Sequence, residues 1–487
     1  MNEQHFTEED IRLQKLDEYR KKGIDPFAYS FEKTHQIDTV LTNYSEIEID
    51  NKSEDICSIA GRIIAKRGHG KAMFGNITDE SGSIQFYVNL NTLEEERYEL
   101  FRLLDIGDII GLKGKPFRSK RGELSLFIED FKLLTKSLHP LPEKFHGLQD
   151  KELRYRQRYV DLIANKEVRE TFKTRSWAML EIRSFLAKDN FMEVETPVLH
   201  SIYGGAAAKP FITHHNTLDQ DLYLRIALEL HLKRLVVGGF ERIFEIGRVF
   251  RNEGISYKHN PEYTLLELYQ AYADYQDVMK LTENLISHLV KSKFGTYKIT
   301  YQEKEIDFTP PFTRITLKNA LQEYAEVDID GDISNLQAKA ESLGLEKQEN
   351  PIKGELINYI YDKLVEPKLI QPTFMIDYPW ETSPLAKRKR DDKNLVERFE
   401  LIINAMEIAN AFTELNDPID QKLRFDEQLK AKEAGWEEAH EMDEDFITAL
   451  EYGLPPTGGL GIGIDRIIML LTDSASIRDV IFFPHMR

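Results

Sequence analysis

Residues Phe250–Tyr275 read FRNEGISYKHNPEYTLLELYQAYADY, and the fold of the larger part of the chain is decided by this stretch. Two strand-like runs, IFEIGRVFRNE and EYTLLELYQAY, flank GISYKHNP, where Gly254, Asn260 and Pro261 mark a loop. The hairpin crowds anion binders, carboxylates and aromatics into one short segment. Arg251 offers a planar fork and His259 a further donor when protonated, both suited to phosphate or carboxylate. Glu253, Glu262 and Glu267 can hold amines or metals. A charged ligand is expected here; the plain alternative is a charged surface hairpin, and a second segment is needed to choose between them.

That segment is Gly458–Leu471, GGLGIGIDRIIMLL. Its glycines allow close backbone approach, and Asp465-Arg466 opens an apolar run of helical length. The spacing is not that of a dinucleotide fingerprint. Taken together, FRNE with its loop and aromatic, and GxGxGxDR further on, resemble motifs 2 and 3 of class II aminoacyl-tRNA synthetases. The first motif of that class resembles the amphipathic helix Thr171–Asp189 followed by FMEVETPVL, with Pro197 at the dimer-forming position. The resemblance places motif 1 at about 171–199, motif 2 at about 241–275 and motif 3 at about 458–472. Walker A, HIGH and KMSKS sequences are absent, which narrows how a nucleotide is held.

The 487 residues, 41% apolar and 30% charged, leave room for two or three domains and a large core. Cys57 is the single cysteine, which excludes an intramolecular disulfide and a thiolate cluster and makes a reducing, cytoplasmic location the expectation. The acidic start MNEQHFTEEDIRLQ has no apolar core and no apolar run is long enough to cross a bilayer, so neither a signal peptide nor a membrane span is expected. A net charge of -19 argues against nucleic acid only on average, because two basic clusters lie in the N-terminal third.

Those clusters define a first domain. After an extension expected at 1–50, with a short helix near Glu8–Lys22, the runs ICSIAGRIIAKR, AMFGNITDE, SIQFYVNL, DIIGLKGKPFR and ELSLFIEDFKLLT read as short strands. A helical run, LEEERYELFRLL, separates the third from the fourth, which suggests a small Greek-key barrel of the oligonucleotide-binding (OB) type at 51–137. Arg62, Lys66, Arg67 and Lys71 form one basic group; Lys113, Lys115, Arg118, Lys120 and Arg121 form a second. Phe74, Phe86 and Tyr87 interleave with them. Cations that meet phosphates and aromatic faces that stack bases make single-stranded RNA the expected ligand. Phe86 and Tyr87 point to opposite faces, so one of them belongs to the core. LHPLPEKFHGLQD is expected as a linker at 138–150, followed by a second domain at 151–487 with a helical insertion at about 277–365.

Over most of its length the chain resembles the lysyl-tRNA synthetase family of class II. The resemblance runs through KFHGLQDKELRYRQRYVDLI, YGGAAAKPFITHHN, YLRIALELHLKRLVVGGFERIFEIGRVFRNEG, QPTFMIDYP with SPLAK, and NAFTELNDPIDQ. Aspartyl- and asparaginyl-tRNA synthetases share the barrel and the three motifs. The remaining carboxylates choose among the three, since a buried ammonium needs an anionic partner and an aspartate pocket would need a cation. The resemblance implies an α+β chain, an N-terminal OB-fold β-barrel and a class II antiparallel-sheet catalytic domain with a helical insertion, acting as a homodimer on L-lysine, ATP and tRNA(Lys). It assigns Glu267, Glu414 and Tyr269 to the side-chain ammonium of lysine, and Glu229 and Gly205 to its α-amino group. Arg251 and Asn410 fall to its carboxylate and Phe412 to its butyl chain, with Gly461 in the same pocket. ATP falls to Arg251, Glu253, His259, Asn260, Tyr263, Glu400, Glu407, Ile408 and Arg466, of which Arg251, His259 and Arg466 carry the catalysis. In the barrel, Phe74, Gln85 and Glu123, supported by Lys66 and Arg67, would face the anticodon.

The run Phe399–Glu414, FELIINAMEIANAFTE, admits two readings. As a helix, its heptad-spaced Glu400, Glu407 and Glu414 stand about 10 Å apart per step, too far for two to share an ion. As a hairpin turning at Ile403-Asn404, it makes Glu400 and Glu407 cross-strand neighbours able to share a cation. The resemblance requires antiparallel strands, and it assigns Glu400 and Glu407 to magnesium, whose few oxygen ligands are shared with phosphates. Relatives often have glycine where this chain has Asn404-Ala405, which leaves the turn type open.

Overall fold

The computed structural model describes residues 6–68, 70–142, 148–347, 351–433 and 441–486. The chain divides into two compact units, Met1–Gln149 and Asp150–Arg487. Residues 143–147, the middle of the linker expected at 138–150, lie outside the described residues, as do residues 1–5 of the N-terminal extension.

The first unit opens with α1 (Glu8–Lys21), which Thr7 and Asp10 start with reciprocal capping hydrogen bonds. After α2 (Ile37–Asn43) come β1 (Cys57–Arg67), β2 (Ala72–Thr78) and β3 (Ser83–Asn89), then α3 (Leu90–Leu93) and α4 (Glu95–Arg102), then β4 (Ile109–Arg118) and β5 (Leu124–Thr135). The strands close into a barrel in the order β1-β2-β3-β5-β4, the OB arrangement with its helical element between the third and fourth strands. Strict alternation along β2 drives Met73 and Ile77 inward. Phe86 joins the same core, and Tyr87 stands on the outer face, 4.6 Å from Phe74.

The second unit is built on an eight-stranded sheet. Its leading part holds α5 (Lys151–Arg156), α6 (Arg158–Ala164), α7 (Lys166–Lys188), β6 (Met192–Glu193), a small sheet of β7 (Leu199–His200), β8 (Ile212–His215) and β9 (Gln220–Leu224), and α8 (Glu229–Val237). The opening stretch then forms β10 (Arg242–Phe250) and β11 (Glu262–Ala271), an antiparallel hairpin as its composition indicates. Next come α9 (Tyr275–Phe294), β12 (Lys298–Tyr301), β13 (Lys304–Asp307), β14 (Thr313–Thr316), α10 (Leu317–Ala325), α11 (Ile333–Ser342) and α12 (Lys353–Leu364). The chain ends with β15 (Thr373–Pro379), β16 (Leu395–Ile403), β17 (Met406–Thr413), α13 (Pro418–Glu433), α14 (Glu444–Glu451), β18 (Thr457–Gly463), α15 (Ile464–Leu471) and α16 (Ile477–Val480).

The sheet order is β14-β15-β16-β17-β18-β11-β10-β6, antiparallel except for the outer pairs β14-β15 and β10-β6. Alternation gives it two different faces. Leu266 and Leu268 of β11, Phe399 and Leu401 of β16 and Leu460 and Ile462 of β18 pack with α7, α9 and α15 into one core. Their neighbours in sequence, Glu267 and Tyr269, Arg398 and Glu400, Gly459 and Gly461, line a cleft on the opposite face.

Two expectations need correction. The stretch 277–365 is not helical throughout: α9 packs into the main core, β12 and β13 form a separate hairpin, and β14 is an edge strand of the large sheet. These strands are four residues long and largely polar on their open side, so they leave no periodic signal to compete with the helices around them. The first-motif helix also starts earlier than Thr171, at Lys166. Among the described residues no helix is long and apolar enough to cross a membrane.

Candidate functional site

The cleft encloses about 430 Å³, and every residue of the second unit assigned to lysine, ATP or magnesium lines it; of the carboxylates of the opening stretch, Glu253 and Glu267 do so and Glu262 does not, lying instead 3.8 Å from His485. Its acidic end is assembled from three elements. Glu229 opens α8, Glu267 and Tyr269 alternate along β11, and Glu414 follows β17. All three glutamates are buried. Leu228 N–H donates to Glu267 Oε1 at 3.0 Å and the Tyr269 hydroxyl to Oε2 at 3.2 Å. Burial, then the charge of Glu229, still pushes Glu267 up to about 8. Burial raises Glu414 as well, against the pull of Lys233. Gly459 explains why glycine is required on the facing strand: a Cβ there would collide with Glu414 and come within 2.7 Å of the Tyr269 ring. Gly205, at φ +86, closes the cleft where any Cβ would meet Ala227 at 3.0 Å and Glu229 at 3.2 Å.

The cationic end lies where the β10–β11 loop faces α15. Arg251 N–H donates to Pro261 O at 2.8 Å, which pins the loop's two ends together. The Arg251 guanidinium lies 5.4 Å over the Tyr263 ring and donates to Ile226 O at 3.3 Å. Arg466, in the first turn of α15, donates to Glu407 O at 2.5 Å and stands 3.6 Å from Glu407 Oε2. His259 contacts Ser256 Oγ at 2.9 Å; partial desolvation and the cations Arg466 and Lys258 hold its ring below the usual histidine range. The protonated form, which would make His259 the expected further donor, is thus disfavoured in the free cleft. Asn260 donates to Glu262 O at 2.7 Å, while its buried Oδ1 has no partner among the described residues, an acceptor suited to an amino group. Asp465 accepts from Thr264 N–H at 2.7 Å and pairs with Arg175 at 2.5 Å, tying β11, α15 and α7 into one frame under this end.

Between the two ends, β16 and β17 form the hairpin that the Phe399–Glu414 run admits. Its turn is Asn404-Ala405, one residue later than expected, with φ of 47 and 57. Both positions are left-handed, as in a type I′ turn, and their N–H groups donate to Ile370 O at 3.0 Å and Leu369 O at 2.9 Å. Glu400 pairs with Asn410 and Glu407 with Ile402, so the two glutamates are diagonal rather than directly opposed. Ile408 is left without a register partner, a one-residue bulge, and this brings Glu407 to the cleft side with Glu400 and Asn410. Burial lifts the Glu400 carboxyl to about 7, against the pull of Arg398 at 2.5 Å and with the push of Glu407. Among the described residues, no cluster of three or more histidine, cysteine or carboxylate groups could hold a metal.

Residues 150–487 match the family model described as tRNA synthetases class II (D, K and N), and residues 57–134 match that of the OB-fold nucleic acid binding domain. The chain is 58% identical over 479 residues to the lysine–tRNA ligase of Carboxydothermus hydrogenoformans, covering 98% of this chain and 97% of that protein. It is 56% identical to the lysine–tRNA ligase of Thermoanaerobacter sp., covering 98% and 95%. With the lysine–tRNA ligase of Bacillus cytotoxicus the identity is 54%, covering 98% and 96%. The chain belongs to the class II lysine–tRNA ligases.

Within this lysine–tRNA ligase chain, four side chains went unnoticed in the sequence. Lys233 lies in the acidic end, buried, 2.5 Å from Glu229. Arg398 reaches Glu400 and donates to Asn410 Oδ1 at 3.1 Å. Lys258 donates to Ala405 O at 2.5 Å, joining the β10–β11 loop to the β16–β17 turn. Arg175 supports Asp465. The only signal for Lys233 was its spacing of four residues from Glu229, which reads as a surface helix pair.

The barrel unit holds the remaining candidates. Phe74, Tyr87, Phe117 and Phe127 form a chain of rings on the strands, with successive centroids 4.6 to 6.0 Å apart. Gln85 donates to Glu123 at 2.8 Å and accepts from Ser125. Arg67 pairs in register with Phe74. Lys66 is placed differently: its ammonium is spent on the carbonyls of Phe101, Arg102 and Leu104, and burial lowers it to about 8. Arg118 likewise serves the carbonyls of Ile47 and Gly122.

Proposed function

We propose that the chain joins L-lysine to tRNA(Lys) with ATP, through a lysyl-adenylate, releasing pyrophosphate and then AMP. One observation carries the amino-acid choice: three buried glutamates and the Tyr269 hydroxyl converge on one end of the cleft. A buried carboxylate cluster is stable only against a cation, and an ammonium at the end of a four-carbon chain supplies one. Glu267, Tyr269 and Glu414 hold that ammonium, with Phe412 along the chain. Glu229, beside Gly205, takes the α-amino group, Gly461 leaves the floor open, and Arg251 and Asn410 turn the carboxylate toward the other end.

ATP enters over Tyr263, which stacks on adenine, while Asn260 Oδ1 accepts from the base amino group and Glu253 contacts the base from the loop. Arg466 meets the outer phosphate and the adenine face, and Ile408 packs beside it. The lysine carboxylate, already ionised, attacks the α-phosphorus, and its bond forms as that to the pyrophosphate oxygen breaks. Arg251 and His259 face the charge that gathers on the phosphoryl oxygens, and binding there raises His259 back toward protonation. The protein supplies no nucleophile; it positions. Glu400 and Glu407 share one face of the cleft, and the raised Glu400 carboxyl marks a place where a cation is favoured, so this pair fits magnesium, Mg2+. Bound there, magnesium neutralises phosphate charge in this class of reaction. The terminal adenosine of tRNA then attacks the mixed anhydride through its 3′-hydroxyl.

The barrel's rings stack unpaired anticodon bases, with Gln85, Glu123 and Arg67 beside them. Lys66, tied to the protein's own carbonyls, supports the barrel rather than the RNA. The unit from 51–137 reads as the anticodon-binding domain and 151–487 as the catalytic domain. A homodimer through the first motif and a cytoplasmic location complete the proposal; the exposed Leu180, Val198 and Leu199 support the former and the lone Cys57 the latter.

Amino-acid-dependent exchange of labelled pyrophosphate into ATP tests the activity. Lysine alone should support it, followed by charging of tRNA(Lys); exchange with aspartate or asparagine instead would overturn the assignment.

A further inference from the structure

One cation at the acidic end of the cleft belongs to the protein itself. Lys233 stands one turn along α8 from Glu229 with no exposed surface, its ammonium 2.5 Å from Glu229 Oε1 and in direct ion contact with Glu414 Oε2. The rings of Phe412 and Phe446 lie 5.6 and 5.9 Å from it. Among the described residues Glu267 has no such partner; its oxygens take the Leu228 N–H and the Tyr269 hydroxyl. Three carboxylates and one internal ammonium therefore share this end.

We propose that Lys233 is a built-in countercharge: it clamps Glu229 and Glu414 in facing positions and thereby sets the pocket to admit one side-chain ammonium, which Glu267 completes. It is a positioning residue for amino-acid selection, acting through the two glutamates, and the inference rests on the lysine-pocket reading above. Without it, two buried carboxylates would repel and take up protons, and a neutral carboxyl holds an ammonium poorly. The charge state follows the geometry. Burial raises Glu229 and Glu414 and Lys233 pulls both back, while the same two carboxylates keep Lys233 charged against its own burial. The other titratable groups facing this cluster are Glu267 and Tyr269 from β11, with Arg251 beyond. Arg234, the next residue of α8, turns away to Asp443 and Asp445.

Two variants and one wild-type measurement test this on the full chain. Lys233→Met keeps length without charge, and Lys233→Gln keeps a donor without charge. In pyrophosphate exchange both should raise the lysine KM on the order of 100-fold while the ATP KM stays nearly unchanged. Both should also move the rise of lysine affinity with pH to higher pH. Calorimetry of lysine binding to the wild type near pH 7, in buffers of different ionisation heat, should show release of about one proton, that of Glu267. An unchanged lysine KM, an ATP KM that rises in step with it, or release of about two protons or more would each overturn the countercharge. The calorimetric arm needs no variant, so it decides even if neither variant folds. A wild type that shows no lysine-dependent exchange sinks the proposed function; normal exchange with unaltered Lys233 variants sinks only this inference.

Discussion

Glu267 accepts two hydrogen bonds, yet burial still holds its carboxyl near 8, so the ligand-free site carries a proton there at pH 7. An ammonium needs the carboxylate, and lysine binding must displace that proton. Lysine affinity should therefore rise with pH by up to about tenfold per unit and level off above about 8, read from the lysine KM across pH. The sign for stability is opposite. A carboxyl raised from 4.5 to about 8 on folding contributes stability that is complete below 4.5 and lost as pH rises through 8. Without lysine, melting temperatures of the wild type should thus fall relative to those of Glu267→Gln between these limits. The same variant should raise the lysine KM by roughly 30-fold or more, since removing one member of a buried charge pair costs about 2–5 kcal/mol, with the ATP KM nearly intact. Equal loss of both substrates would remove Glu267 from the ammonium site.

The β16–β17 hairpin places Ala405 at φ 57, where a Cβ is strained and glycine is not. Ala405→Gly should stabilise the chain by up to about 1 kcal/mol, visible as a shift of the denaturant midpoint with unchanged slope, because relief of strain outweighs the added freedom of the unfolded chain. A lower midpoint would show that the turn is held mainly by its contacts to Leu369, Ile370 and Lys258. This element also shows how far pattern reaches. The barrel strands and the β10–β11 hairpin were legible because their alternation runs over seven to twelve residues against a defined core. Glu229, Glu400, Glu407 and Glu414 came from the family resemblance, whereas Glu267 was legible because it sits on such a strand. The bulge was not, since Ile408 between Glu407 and Ala409 reads as one more apolar strand residue. Lys233 was not, because a buried charge and an exposed one have the same spacing in sequence, and only the packing of α8 against β11 and α14 tells them apart.

The two units divide the chemistry. The cleft lies wholly within the second unit, and the ring cluster wholly within the first. A change in the barrel should therefore spare adenylate formation. Phe74→Ala should raise the KM for tRNA by roughly 5- to 150-fold, since stacking one base is worth about 1–3 kcal/mol, and leave lysine-dependent pyrophosphate exchange unaltered. A parallel loss in exchange would mean that Phe74 acts on the fold. The same division suits a net charge of -19 to an RNA partner, because the face proposed for the anticodon is local to one unit and the net charge is a sum over both.

Ile408 is the bulged residue of the active strand. Removing that single codon would take out the bulge and leave a regular strand: Ala409 stays opposite Leu401, Glu407 opposite Ile402 and Met406 opposite Ile403, so each residue keeps its side. Such a deletion should yield a chain that still binds lysine and keeps Glu407 in the cleft, its ATP KM changed only by loss of the Ile408 side chain and of the bend, as pyrophosphate exchange would read. In a strand that carries chemistry on one side only, a bulge is the one place where losing a single residue turns nothing over.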